Sequence, residues 1–231
     1  RVSGEDDLGV PELLSTDDFR LVERITAEIP TLESAHGWHV RFGRELNATD
    51  DRTLMTPVDG QAGARRIVEG KMITPFRVDL DRSRLMLARN AVVRDNIARL
   101  PRLAYREVAS ATNRLTLIAA IVPAHAVTTH TAFCLKASLP LASQWVLCAL
   151  LNSFVANYLV RLRVNTHVTA TIMSRLRVPL VQSSSHAFAR LHEMSVELAD
   201  GKDAVESNPV YCRMQAEVAR LSGLNTADFA H

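Results

Sequence analysis

Lysine is nearly absent from this chain: 231 residues hold 24 Arg and only 3 Lys. An arginine excess of that size is partly a compositional habit, so an arginine on a strand reads first as a solvated face. Cysteine is scarce as well. Cys134, Cys148 and Cys212 show neither pairing nor metal-ligand spacing, which excludes a disulfide framework and reads as free buried thiols in a reducing compartment. The eight histidines form no His-Glu-x-x-His and no His/Cys cluster, so a zinc site has no support. No Gly-x-Gly occurs among the nine glycines, and with it goes the loop that cradles a nucleotide cofactor. The chain opens on Arg1 without the basic and apolar regions of a secretory signal. The expectation is a piece of a longer, cytoplasmic protein.

Acidic residues are missing from one long region. Residues 1–40 hold 3 basic and 9 acidic side chains, 41–114 hold 15 and 9, 115–181 hold 5 and 0, and 182–231 hold 4 and 7. The middle is therefore +11 while the two ends together are −9. That asymmetry suggests a polyanion facing the middle segment, with the acidic ends turned away.

Read in order, residues 1–15 form a loose lead-in. Thr16 caps a helix over Asp17 to Ile29, with acids in its first turn and Pro30 beyond its end. Trp38, Val40 and Phe42 alternate with His39, Arg41 and Gly43, the pattern of a half-buried strand. Turns are expected at Asn47 to Asp51 and Gly60 to Gly63, with short strands at Thr53 to Val58, Arg66 to Val68 and Met72 to Phe76. Residues 79–101 read as a long loop with a helical turn.

The stretch from Leu103 to Pro123 reads as a β-hairpin. A short strand around Leu103, Tyr105 and Val108 and a longer apolar one from Leu115 to Val122 flank a polar connection, Ser110 to Arg114. The second run should lie mid-sheet, covered on both faces, with Arg102, Arg106 and Arg114 pointing outward together. Ala132 to Ala137 is one more strand.

Residues 137–160 carry no charge, and 16 of the 22 residues from Leu139 to Val160 are apolar, which meets the length of a membrane span. Gln144, Asn152, Ser153 and Asn157 interrupt the run and would cost more in lipid than against partners in a protein. A central helix packed on the sheet is the better account, with no membrane involved. Helices from His186 to Ala199 and Pro209 to Leu221, each followed by glycine, close the chain.

Two motifs suggest chemistry. Asn208-Pro209-Val210-Tyr211 is one residue from the Asn-Pro-Pro-Tyr loop of adenine methyltransferases, but Pro209 opens a helix and no strand feeds the loop. Asp59 followed by Glu69-Gly70-Lys71 has the spacing of a magnesium-dependent nuclease, in a pattern short enough to occur by chance.

Four segments together resemble the C-terminal target-recognition domain of N6-adenine DNA methyltransferases of the type IIG restriction-modification kind and related phage-defence methylases. They are Trp38 to Leu46, Glu69 to Phe76, Tyr105 to Pro123 and Ala149 to Tyr158, in matching order, and the likeness covers roughly residues 15–181. Its most specific part is Gly-Lys-Met-Ile followed by the Tyr-Arg-Glu-Val-Ala hairpin. The resemblance implies an α+β domain: a mixed sheet over residues 36–137, a central buried helix and C-terminal helices. It divides the chain into a lead-in at 1–35, a DNA-recognition domain at 36–181 and a packed helical segment at 182–231. It also implies a separate N-terminal methyltransferase domain that binds S-adenosylmethionine, leaving this chain with no cofactor, no catalytic residue and no metal.

Double-stranded DNA is the implied partner. Phosphate contacts from Arg and Lys would supply affinity, and side chains that fork onto base edges would supply specificity. Arg41, Arg44, Lys71, Arg106, Asn113 and Arg114 are the candidates for DNA binding, because they flank the matching segments on turns or exposed strand positions. Of the DNA-binding set Arg41, and beside it Arg65, Arg66, Arg77, Arg161 and Arg163, read as phosphate contacts or plain surface. Two rivals stand beside this reading: a nuclease using Asp59, Glu69 and Lys71, and a non-catalytic domain whose basic middle meets an acidic protein.

Overall fold

Side-chain caps open most of the helices, and apolar periodicity decides which face each one buries. In the computed structural model, which describes residues 13, 15–58, 65–88, 91, 99–110 and 112–230, the first helix α1 spans Thr16–Glu28. Its cap is Ser15, one residue earlier than expected, whose Oγ accepts from Asp18 N at 3.0 Å. Short strands follow: β1 Phe42–Gly43, β2 Met55–Pro57, β3 Ile67–Val68, β4 Ile73–Thr74, β5 Arg77–Val78 and β6 Leu85–Leu87. Then come β7 Arg102–Arg106, β8 Ala119–Val122, β9 Val127–Thr128 and β10 Ala132–Leu135. The rest is helical: α2 Leu141–Leu151, α3 Phe154–Arg161, α4 Ala170–Ser174, α5 His186–Asp200, α6 Pro209–Leu221 and α7 Thr226–Ala230. The α+β class expected from the sequence is the class observed.

The main sheet has the order β1-β10-β7-β8, every neighbouring pair antiparallel. Its two faces differ. Phe42, Leu103, Tyr105, Ile121, Phe133 and Leu135 point to one side and join the large core formed with α1, α2, α3, α5 and α6. Ala104, Ala120, Ala132 and Cys134 point to the other and meet Val68, Met72 and Ile73. A third, smaller cluster around Leu46, Ile67, Leu87 and Val127 lies further out. The C-terminal helices share the first core: Leu191, Leu198, Met214 and Val218 are buried in it together with Val22 and Ile25 of α1.

Several expectations shift. The Trp38–Phe42 run keeps its alternating burial, but His39 has φ 51°, and only Phe42 and Gly43 pair with β10. Residues 79–101 are not wholly a loop, because β6 pairs with β2. The hairpin strands β7 and β8 pair as expected, yet β8 is the last strand of its sheet rather than a middle one. Its outer side is covered by Phe76, whose N–H donates to Ala119 O at 2.9 Å. β8 also begins only at Ala119, since Asn157 Oδ1 takes the N–H groups of Thr116 and Leu117, both at 2.8 Å. Cys212 is exposed, unlike Cys134 and Cys148. The turn expected at Gly60 to Gly63 lies outside the described residues.

The uncharged stretch forms two helices, α2 and α3, bent by 62° at Asn152-Ser153, in place of one straight helix. No single helix among the described residues is long and apolar enough to cross a membrane. The polar residues that interrupt the stretch are buried and bonded to main chain. Gln144 Oε1 accepts from Leu103 N at 2.7 Å; Asn152 accepts from Ala119 N at 3.0 Å and donates to Ala119 O at 2.8 Å. At the bend, Gln215 Oε1 of α6 accepts from Phe154 N at 2.7 Å. The amides thus satisfy backbone groups that the sheet leaves unpaired.

Candidate nucleic-acid interface

β1 and β7 end on the side where β10 begins, so Arg44, Arg106 and Phe133 lie at one end of the sheet. The Arg44 guanidinium sits 5.3 Å from the centroid of the Phe133 ring. Phe133 stacks on Tyr105 at 5.5 Å, and Phe42 meets Tyr105 edge-on at 5.2 Å. The Tyr105 hydroxyl is buried and has no hydrogen-bond partner among the described residues. Burial pushes its pKa far up, the Glu107 charge adds to that, and Arg44 opposes it.

Gly70 and Lys71 form a tight turn docked on this corner. Gly70 N donates to Thr131 Oγ1 at 2.8 Å, and a Cβ on Gly70 would stand 2.4 Å from Thr131 O and 3.3 Å from Arg106 Cγ. Only glycine permits that approach. The fully buried Met72 anchors the turn from inside, and Lys71 extends to solvent with 60% of its side chain exposed, 2.9 Å from Glu69. Arg106 Nε donates to Val108 O at 2.9 Å, which fixes the guanidinium plane beside the turn. His167 adds a ring nitrogen 3.0 Å from the buried Glu107 carboxylate, close to Arg106 in the chain.

The structure thus brings Lys71 and Arg106 together and sets Arg44 at the same end of the sheet. Arg41 lies before β1 with 78% of its side chain exposed, only loosely approached by Glu33 at 3.9 Å. Asn113 and Arg114 are held elsewhere. Arg161 Nη2 donates to both their carbonyls, at 2.8 and 3.0 Å, and the Arg114 side chain pairs with Glu206. Arg114 also lines a cavity of about 300 Å³ with Asp18, Tyr158 and Phe154, beside α1 and α3.

Other arginines are committed to the fold. Arg102 does not point outward with Arg106: its side chain is 12% exposed and forms two 2.5 Å bonds to Glu45, whose side chain is 3% exposed. Burial raises the Glu45 pKa, but the Arg102 hydrogen bond and charge, then the Thr128 N–H and hydroxyl, reverse this and hold it below the usual carboxylate range. Arg65, Arg66, Arg77 and Arg161 donate to main-chain carbonyls, and so does Arg177, to Ile29 O at 2.8 Å. A Cβ on Gly201 would lie 2.8 Å from the Arg77 guanidinium, which explains glycine there without a left-handed turn.

Sequence reasoning missed Lys136 and His167. Lys136 follows a strand in the acid-free region, a signal that was present in the pattern; the Glu107 partner of His167 is 60 residues away in sequence and left none. Among the described residues no group of three or more His, Cys, Asp or Glu is placed to hold a metal ion, and Asp59 lies outside them.

Comparison by sequence with protein-family models and with curated proteins found no match. By structure, the chain is similar to part of a Type IIL restriction-modification enzyme, MmeI, solved in complex with DNA, at TM-score 0.51 and 12% identity. The match covers 83% of this chain and 34% of that one, so the chain spans about a third of the enzyme's length. At that identity the likeness is one of fold.

Proposed function

We propose that this chain is the double-stranded DNA recognition module of a larger S-adenosylmethionine-dependent N6-adenine DNA methyltransferase serving restriction-modification or phage defence. The observation that carries the reading is the set of cations at one sheet end, Arg44, Lys71 and Arg106, on a fold similar to part of a DNA-bound restriction-modification enzyme. Lys71, exposed beside its Glu69 partner, and Arg41, exposed and only loosely approached by Glu33, suit phosphate oxygens. Arg106 and Arg44 are held by a carbonyl and a ring, which leaves donors in a fixed plane, the requirement for forked bonds to a guanine edge. Asn113 and Arg114, held by Arg161 and Glu206 away from these cations, are not part of this set. S-adenosylmethionine and methyl transfer belong to a catalytic domain outside this chain, and the residues here bind and orient the duplex.

Fluorescence anisotropy with a mixed-sequence duplex, titrated from about 50 to 200 mM salt, tests the reading, since a handful of phosphate contacts weakens binding by orders of magnitude over that range. Lys71→Ala and Arg106→Ala each reduce affinity while thermal unfolding stays cooperative. Salt-insensitive binding, or full affinity in both variants, overturns the assignment.

A further inference from the structure

A second basic site lies along β1 and β10. Lys136 N donates to Arg41 O at 2.8 Å, which sets the two residues opposite each other across the strand pair. Gly43 makes room for the lysine: a Cβ there would stand 3.1 Å from Lys136 Cε and 3.4 Å from its Cγ, so the aliphatic stem lies against β1. Together with His39, Phe42, Glu33 and Ala137 they line a cleft of about 430 Å³. Its charge is unbalanced. Glu33 is the one carboxylate in the lining, 3.9 Å from Arg41 and beyond hydrogen-bond distance, and Lys136 has no ion-pair partner among the described residues. His39, in the left-handed region at φ 51°, sits exposed at the rim in a conformation that non-glycine residues hold at a cost.

We propose that this cleft binds a phosphodiester of the DNA backbone, with Lys136 and Arg41 as its charged donors and a ring N–H of His39 beside them. The proposal rests on the recognition reading above and extends its footprint from Arg41 across the strand pair to Lys136. Such a contact fixes the position of the duplex on the sheet and carries no sequence information. Glu33 competes with the phosphate for Arg41, so removing its charge strengthens binding, whereas removing Lys136 weakens it. Opposite signs from two neighbouring surface changes do not arise from misfolding.

The test is duplex affinity against salt for wild type, Lys136→Ala, Glu33→Gln and Arg106→Ala. Support is a slope of log Kobs on log salt shallower by about 0.9 in Lys136→Ala, equally for unrelated duplex sequences, together with tighter binding by Glu33→Gln. If Arg106→Ala weakens binding while Lys136→Ala and Glu33→Gln match wild type, the cleft proposal is overturned and the recognition reading survives. Wild type that binds no duplex at low salt overturns both. An NMR titration with inorganic phosphate forms the second arm: a Lys136-dependent response to phosphate, without any effect of Lys136→Ala on duplex affinity, marks a free-anion site and overturns the proposal.

Discussion

The two faces of the main sheet are built from different materials. Toward the helices, Tyr105, Phe133, Leu103, Leu135 and Phe42 fill a core with α2 and α5, and buried amides close the backbone. On the opposite face the strands carry Ala104, Ala120, Ala132 and Cys134, which pack under Val68, Met72 and Ile73, and at the edge Gly43, against which the Lys136 stem lies. Large side chains on one side make the domain stable. Small ones on the other let a second apolar layer dock closely and, at Gly43, admit a lysine stem.

Arg102 is the exception on that second face, and disrupting it gives the largest expected effect. Arg102→Met leaves the Glu45 carboxylate buried without its partner and costs about 3–5 kcal/mol, measured by urea unfolding at neutral pH. The same pair sets an acid limit. The folded pKa of Glu45 is depressed, so its contribution is complete above the ordinary glutamate pKa and is lost as pH falls through the lower folded value. Unfolding followed against pH shows that acid loss in wild type, and Glu45→Gln lacks this component.

Asn152→Leu probes the helix face next. It strips the partner from Ala119 N and one of the donors from Ala119 O, which keeps the Phe76 N–H, for a loss of about 1–3 kcal/mol in the same unfolding assay, with the salt slope of DNA binding unchanged. Arg41→Ala reverses the pattern, with stability within about 0.5 kcal/mol of wild type and a shallower salt slope. The smallest effect belongs to Arg190→Ala, which breaks an exposed pair with Glu217 far from the basic face. It costs about 0–1 kcal/mol and leaves DNA affinity intact. A large binding defect in Asn152→Leu, or a large stability loss in Arg41→Ala, would break the division between the faces.

Local patterns were legible where the chain itself supplies the signal. The α5 and α6 boundaries follow from their caps, Ser185 and Asn208-Pro209, and from apolar spacing. The β7–β8 pairing follows from two apolar runs around a polar connection. Long-range compensation left no such trace. Nothing near Arg102 marks it as buried, because its carboxylate lies 57 residues away, and Asn157 delays the start of the expected strand from 40 residues downstream. The bend between α2 and α3 was likewise invisible, since Gln215 of α6 receives the N–H that the break exposes.

By itself the sequence determined α1, α5 and α6, the β7–β8 pairing, the uncharged core segment and the basic middle, all of which depend on neighbours a few residues apart. Only the tertiary structure decided which of the many arginines remain available to a ligand. A guanidinium is neutralised or left exposed by whichever carboxylate or carbonyl the fold brings to it, and that is a property of distance in space rather than of order in the chain.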